Sequence, residues 1–154
     1  MRVMKKMMMF AALGIATIGV AVAATIYHLR DDQPIGYSEL PAKAQKFVEK
    51  YYAGVDVTHI TMDRDVTSTE YDVVLGNGTK IEFNADGEWR DVDAHRSAVP
   101  SDIVPKQIKS YVDKNYKGDD IVELKRERNG WDVKLSRGLE LEFDSAFRLT
   151  EVDD

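Results

Sequence analysis

The stretch VVLGNGTKIEFNADGEW, residues 73–89, decides the fold because it places two turn signals within one alternating run of apolar residues. Apolar and polar residues alternate on both sides of Asn77-Gly78, which is typical of strands with one covered face and one wet face. Asn77-Gly78 predicts a type I′ hairpin, in which both central residues adopt positive φ. Asp86-Gly87 predicts the next turn. The stretch therefore predicts a meander of antiparallel strands.

A near copy of this stretch, VKLSRGLELEFDSAFRL, occupies residues 133–149. The similarity extends in both directions, so that residues 71–93 align with 131–153 and residues 40–56 align with 104–120. Two copies of one supersecondary unit explain this pattern. An earlier strand near residues 57–64, and again near 121–128, completes a helix followed by four strands in each copy.

The aligned segments 40–56 and 104–120 are predicted to be amphipathic helices, since their apolar residues recur at spacings of three and four. A proline suits the first turn of each helix, and Gly54 and Gly118 suit the C-terminal stop. A lone unit of about 55 residues would be marginally stable, whereas two units can bury a shared core. We predict an α+β fold: a tandem repeat of αββββ units with a continuous antiparallel sheet and two helices packed on one face.

The N-terminal segment predicts export. Three basic residues among the first six precede a run without charged residues from Met7 to Tyr27, and small residues near Ala23 suit a signal-peptide cleavage site. The run is also long enough to span a bilayer as an uncleaved anchor, and both alternatives place the rest of the chain outside the cytoplasm. We divide the chain into a signal peptide or membrane anchor (1–23), a linker (24–36), a first repeat (37–96) and a second repeat (97–154).

The composition narrows the classes of partner. The chain has no cysteine, which excludes disulfides, a thiol nucleophile and a thiolate metal site. The formal net charge is −6, and removal of residues 1–23, which hold three basic and no acidic side chains, makes it −9. An acidic protein of this kind binds nucleic acid poorly. We expect no nucleic acid partner, no cofactor, and membrane contact only through residues 7–27 if they stay uncleaved.

The motif Y-x-V-x-L-x-N-G-x-x-I-x-F-x-x-x-G-x-W-x-x-V, carried by residues 71–92, resembles the PepSY-like, β-lactamase-inhibitor-like family of exported bacterial proteins. Residues 40–92 carry nearly all of the family pattern, and residues 104–152 carry a degenerate second copy. The resemblance implies a periplasmic protein shaped like β-lactamase inhibitor proteins, with no catalytic residues. Related modules are thought to bind or restrain peptidases and other envelope proteins.

The second copy departs from this pattern at one turn. Ala146-Phe147 replaces Asp86-Gly87, so we expect a turn of different geometry there. Phe147 would then either protrude as an aromatic contact or fold back onto the core in a longer loop.

No arrangement of residues predicts catalysis or a metal site. Asp91, Asp93 and His95 would share one face of an extended strand and could grip a divalent cation, but acidic strand ends are usually solvated. Glu82 and Glu142 occupy equivalent positions, and exposed carboxylates with ordinary pKa values make poor general acids. We therefore predict a protein that is not an enzyme and has no metal ligands.

The remaining candidate is a protein-recognition surface on the uncovered face of the sheet, with aromatic residues near the turns. Its predicted partner-binding residues are Asp72, Lys80, Glu82, Trp89, Lys134, Glu140, Glu142 and Phe147. The favoured function is a non-catalytic periplasmic module that binds a protein of the cell envelope and inhibits or regulates a peptidase or hydrolase. The alternatives are a membrane-anchored sensory or regulatory ectodomain and a mixed-charge face that is merely solvated.

Overall fold

The computed structural model describes residues 32–154. The predicted signal peptide or anchor, residues 1–23, and the charge-free run 7–27 lie outside the described residues. Within residues 32–154, no helix is both long and apolar enough to cross a membrane.

The described chain folds as an α+β protein with two α-helices and one antiparallel sheet of nine strands. The helices are α1 (Ala42–Tyr51) and α2 (Lys106–Asn115), each preceded by a short 3-10 turn. The strands, in chain order, are β1 (Gln33–Pro34), β2 (Val57–Arg64), β3 (Thr69–Leu75), β4 (Lys80–Asn84), β5 (Trp89–Asp93), β6 (Ile121–Glu127), β7 (Gly130–Leu135), β8 (Glu140–Asp144) and β9 (Leu149–Asp153). The order of the strands in the sheet is their order in the chain, so the sheet is a continuous meander. The element order helix and four strands occurs twice, whereas β1 was not predicted and falls in the segment 24–36 that we predicted as a linker.

The covered face of the sheet carries an apolar row that crosses from β2 to β9. Each member lies opposite the next one on the neighbouring strand, and the members are Ile60, Val73, Ile81, Val92, Leu124, Val133, Leu141 and Val152. The first seven are at most 5% exposed, whereas Val152 at the end of the row is 44% exposed. The predicted alternation is confirmed along β3, β4, β7 and β8, where the buried side chains are separated by more exposed ones.

Both helices pack on the covered face of the sheet. The ring of Phe47 in α1 meets Phe83 edge-on at 5.6 Å between centroids, and Tyr111 in α2 meets Phe143 in the same way at 5.5 Å. Buried residues from both helices and from the strands of both halves belong to one hydrophobic cluster. The two halves therefore share a single core, and the opposite face of the sheet is left without a covering layer among the described residues.

The hairpin between β3 and β4 differs from the type I′ turn that Asn77-Gly78 predicts. Gly78 has φ +88°, but Asn77 keeps negative φ, so the prediction is wrong. The N–H of Gly78 donates to the carbonyl of Leu75 at 2.9 Å, and the side-chain oxygen of Asn77 accepts from the N–H of Thr79 at 3.0 Å. These bonds form a three-residue loop in which only the glycine is left-handed. Gly138 closes the corresponding loop between β7 and β8 with φ +99°.

The turn at Phe147 has the same geometry as the turn at Gly87, so the expectation of a different turn there is also wrong. Phe147 has φ +59° and Gly87 has φ +76°. In each turn the side-chain oxygen of the first residue, Asn84 or Asp144, accepts two backbone N–H groups at 2.9–3.0 Å. The side-chain acceptor therefore fixes the turn, and a non-glycine residue is held in the left-handed region.

Candidate recognition surface on the open sheet face

The uncovered face of the sheet, here called the open face, carries two charged rows that run across the strands. The first charged row places one residue of each strand from β3 to β9 opposite the next, in the order Asp72, Glu82, Asp91, Lys125, Asp132, Glu142 and Glu151. Six of its seven members are acidic. Like charges placed directly opposite each other on neighbouring strands destabilise a sheet, so this row is unfavourable for folding.

The second charged row runs beside the first and contains Lys80, Asp93, Glu123, Lys134, Glu140 and Asp153. Its lysines are partly neutralised within the face, since Lys134 forms a salt bridge with Glu140 at 2.9 Å. Lys125 of the first charged row likewise bonds Glu127 at 3.0 Å. The acidic side chains outnumber the lysines in both rows, and the open face is therefore strongly acidic.

Several carboxylates on this face have raised pKa values, because they are partly buried and lie close to one another. Partial burial, followed by the nearby charges of Glu123 and Glu82, raises the pKa of Asp91 to about 7. The Oδ1 atom of Asp91 is buried and has no hydrogen-bond partner in the described structure. Burial and like charges also raise the pKa values of Glu123, Asp132 and Glu142. A positively charged group arriving from outside would relieve this repulsion.

The open face has two depressions that are large enough to hold a side chain of a partner. A depression of about 230 Å³ lies over β6 to β9 and is lined by charged members of both rows together with the edges of Val133 and Leu141. Another of about 410 Å³ lies over β1 to β4 and includes Pro34, His59 and Thr61. The open face thus offers two shallow hollows rather than a deep catalytic cleft.

Six of the predicted partner-binding residues do share the open face, and they are Asp72, Lys80, Glu82, Lys134, Glu140 and Glu142. Sequence reasoning missed Glu123, Lys125 and Asp132, which lie in the middle of the same surface. The alternation around Leu124 and Val133 could have located them, because their apolar neighbours face the core.

Trp89 does not belong to this surface, and the prediction that it presents an aromatic contact there is wrong. Its side chain is 7% exposed and lies on the helix-covered side, 6.2 Å from the ring of Phe47. The cause is a β-bulge, since two residues of β5 lie opposite Glu82 and the next pair is Phe83 with Trp89. The extra residue reverses the side on which Trp89 points.

Trp89 instead begins a stacked cluster beside the helices. The guanidinium carbon of Arg126 lies 3.9 Å from the Trp89 ring centroid and 5.5 Å from that of Trp131. Phe147 stacks on Trp131 at 6.3 Å with 27° between the planes, so its ring folds back toward the core and away from the open face. Trp89, Arg126, Trp131 and Phe147 are therefore a packing cluster that joins the two halves.

A grip of Asp91, Asp93 and His95 on a cation was the less favoured alternative, and it requires an extended strand through His95, which the structure does not have. β5 ends at Asp93, and His95 has φ +57° in the following turn, where its N–H donates to Asp93 Oδ1 at 2.7 Å. Within residues 32–154, no group of three or more His, Cys, Asp or Glu side chains is placed to hold a metal ion.

Residues 69–151, which run from β3 into β9, match a family model described as “Putative beta-lactamase-inhibitor-like, PepSY-like”. The chain belongs to this PepSY-like family. The matched stretch extends across both halves of the sheet and includes every member of the two charged rows of this PepSY-like protein except Asp153. No protein with a curated description matches the chain significantly.

Three solved structures similar to this PepSY-like chain come from Bacteroides species. A “putative periplasmic protein” of the DUF2874 family from Bacteroides vulgatus is 36% identical, with a TM-score of 0.79 over 82% of this chain and 99% of the other. A “putative calcium-regulated periplasmic protein” from Bacteroides thetaiotaomicron is 35% identical, with a TM-score of 0.77 over 80% and 98%. A further B. vulgatus “putative periplasmic protein of unknown function” is 33% identical, with a TM-score of 0.76 over 80% and 99%.

Proposed function

We propose that this PepSY-like protein is a non-catalytic binding module of the bacterial periplasm that captures a protein partner on the open face of its sheet. The observation that carries the proposal is the first charged row, in which carboxylates lie opposite one another across neighbouring strands. Such a row costs folding free energy. A recognition role gives a reason for that cost, because a cationic partner would neutralise the row on binding.

The architecture supports presentation of this surface rather than catalysis. Both helices and the shared core hold the strands from behind, so the charged side chains project from a rigid scaffold whose backbone needs little further ordering when a partner binds. Inhibition or regulation of an envelope peptidase or hydrolase is the expected consequence, since a bound partner would have part of its surface covered. The periplasmic description of the similar structures supports the same location for this chain.

Calcium does not enter the proposal. The name of the B. thetaiotaomicron neighbour attributes calcium regulation to that protein. The described part of this chain shows carboxylates spread along two rows but no group of three or more placed around one ion. At equal ionic strength, capture of the partner should therefore be the same with added calcium and with a chelator.

Photo-crosslinking in intact cells tests the proposal. A photoreactive phenylalanine derivative is placed at Glu82 or at Glu142 on the open face, or at Lys46 on the exposed side of α1 as the matched control. We expect one envelope protein to be crosslinked from both open-face positions and not from Lys46. The purified partner should bind the chain more weakly as salt rises, because its contacts are charged.

The functional consequence has its own readout. If the crosslinked partner is a peptidase or hydrolase, addition of the purified chain should lower its turnover in proportion to occupancy. Crosslinks from Lys46 alone, or equal crosslinks from all three positions, would contradict recognition by the open face.

A further inference from the structure

β9 has an open outer edge. Among residues 32–154 it pairs with β8 and with no other strand. The opposite end of the sheet is protected, since β1 pairs with β2 and the N–H of Ile35 donates to the carbonyl of Ile60 at 3.1 Å. Pro34 in β1 has no N–H to offer, which is a common protection of sheet edges. Backbone hydrogen-bonding groups are thus available along the whole of β9, whereas at the other end β1 covers β2 around Ile60, Thr61 and Met62.

The junction of β5 and β6 shows what fits such an edge. β5 and β9 have the same register on the strands before them, with Phe83 opposite Trp89, Phe143 opposite Leu149, and a bulge next to each pair. β6 pairs with the outer edge of β5 despite that bulge. The outer edge of β9 therefore repeats the geometry of an edge that already accepts a strand within this chain.

The last member of the apolar row, Val152, is left partly exposed at this edge. Val92 in β5 is fully buried because Leu124 of β6 lies opposite it. Val152 occupies the equivalent place in β9 and is 44% exposed. It is one of two exposed large apolar side chains among the described residues, the other being Val66 in a loop. An apolar side chain on an added strand would bury Val152 as Leu124 buries Val92.

At the same edge, the acidic side chain of the first charged row has no cation opposite it in the described chain. β6 brings Lys125 opposite Asp91, and this lysine lowers the repulsion among the carboxylates there. Glu151 holds the position of Asp91 in β9, next to Glu142 and with no strand beyond it in the described chain. The complementary side chain at this position is a cation.

We propose that the outer edge of β9 binds an extended segment of a partner protein by strand addition, with an apolar residue opposite Val152 and a Lys or Arg opposite Glu151. The added strand extends both the ladder and the apolar row, and its cation neutralises the end of the first charged row. This inference deepens the proposed function and rests on it for the existence of a protein partner.

A second copy of the chain fits this edge less well. Two β9 strands pairing antiparallel would bring the carboxylates of Glu151 and Asp153 from both copies together, and like charges oppose that contact. In another copy, β1 covers the edge of β2 at Thr61 and Met62, and β2 has Thr61 at the register position where β6 has Lys125. The required cation is absent from both surfaces, so the occupant is a different, basic segment.

A synthetic peptide provides the probe. It has the sequence of residues 120–128 with Glu123→Lys, so that an apolar residue is flanked by two lysines, and its ends are blocked. A control peptide adds Leu124→Pro, which keeps the charges but removes the backbone N–H and the extended ladder. Binding is measured by fluorescence anisotropy, and the bound segment is located by hydrogen exchange of the protein.

We expect the first peptide to slow amide exchange in residues 149–153, and the proline peptide to leave it unchanged. Val152→Asp should weaken the affinity by about fivefold or more, because it removes the apolar contact and adds another negative charge beside the ladder. Val66→Asp, which changes the other exposed valine, should leave the affinity unchanged.

Three results would overturn the edge proposal. The first is absence of binding at peptide concentrations up to about 1 mM, and the second is equal binding of the proline peptide, which would show electrostatic adhesion without a ladder. The third is self-association in sedimentation that Val152→Asp abolishes, which would make a second copy the occupant. None of these results affects the crosslinking from Glu82 and Glu142, whose failure would count against the proposed function instead.

Discussion

The sharpest stability prediction concerns Asp91, whose replacement by asparagine should stabilise the fold in a pH-dependent way. Asp91 faces Glu82 on β4 and Glu123 and Lys125 on β6, and Asp93 follows on its own strand. Partial burial and these neighbours raise its pKa from 3.8 to about 7. The folded protein therefore holds this proton more tightly than the unfolded chain does.

The sign and the size of the change in the free energy of unfolding follow from that difference in pKa. A raised carboxyl pKa contributes stability that is fully present below about pH 4 and is lost as the pH rises through about 7. The pKa difference corresponds to roughly 4 kcal/mol at about 1.4 kcal/mol per unit. Because the side chain is partly exposed, solvent screening reduces this to about 2 kcal/mol. Asp91→Asn carries no charge at any pH and should avoid the loss.

Urea unfolding followed by tryptophan fluorescence at pH 4 and pH 8 measures the effect. We expect Asp91→Asn to raise the free energy of unfolding by about 2 kcal/mol at pH 8 and to change it little at pH 4. Glu151→Gln is the matched control, since Glu151 has the same register but lies exposed on β9, and its gain should be smaller. An equal gain for Asp91→Asn at both pH values would refute the electrostatic reasoning, because a better hydrogen bond alone would not depend on pH.

Three further substitutions test the packing. Gly130→Ala would place a Cβ 1.9 Å from the carbonyl oxygen of Phe143 on the neighbouring strand. In urea unfolding it should lower the free energy of unfolding by at least about 2 kcal/mol. Gly76→Ala is the control and should cost less, because its nearest contact is at 3.5 Å. Arg126→Met should lose about 1 kcal/mol with its cation–π contact and change the tryptophan emission spectrum; an unchanged spectrum would contradict the stacking on Trp89. Phe147→Ala should be less stable than Phe147→Gly by about 1 kcal/mol, because the backbone there is left-handed. The reverse order in thermal melts would argue against that backbone conformation.

Apolar periodicity was sufficient to predict most of the fold. The stripe on each helix and the alternation along β3, β4, β7 and β8 identify the buried side chains, and burial of Val48, Val73, Phe83 and Phe143 confirms them. These patterns are informative because each side chain is assigned to a face by the helical or strand period alone. The same alternation placed Glu82 and Glu142 on the open face.

The errors arise where geometry depends on a partner strand or on a local hydrogen bond. Strict alternation places Trp89 on the same side as Asp91, but the bulge in β5 inserts one residue and turns the ring to the core. No residue pattern in β5 alone announces that bulge. Asn77 satisfies a neighbouring N–H with its side chain, so it does not need the left-handed conformation that Asn-Gly suggests.

The extent of the charged rows could not be predicted from the sequence alone either. The first charged row depends on the register of seven strands and the second on that of six. The register across the junction of β5 and β6 joins residues more than 30 positions apart, such as Asp91 and Lys125. Without that junction, the acidic residues of the two halves are separate groups. Their continuity across the sheet is what makes the open face a single surface.

The central claim is that the carboxylates of the open face are retained for binding at a cost in stability. Neutralising Glu82→Gln and Glu142→Gln together, with Lys46→Gln as the control, and measuring unfolding and partner affinity on the same preparations tests this claim most directly. We predict that the double variant unfolds at a higher urea concentration, by about 0.5 kcal/mol for each relieved pair, and binds the crosslinked partner more weakly. A double variant that gains stability and keeps full affinity would contradict the claim and leave the open face as a solvated surface.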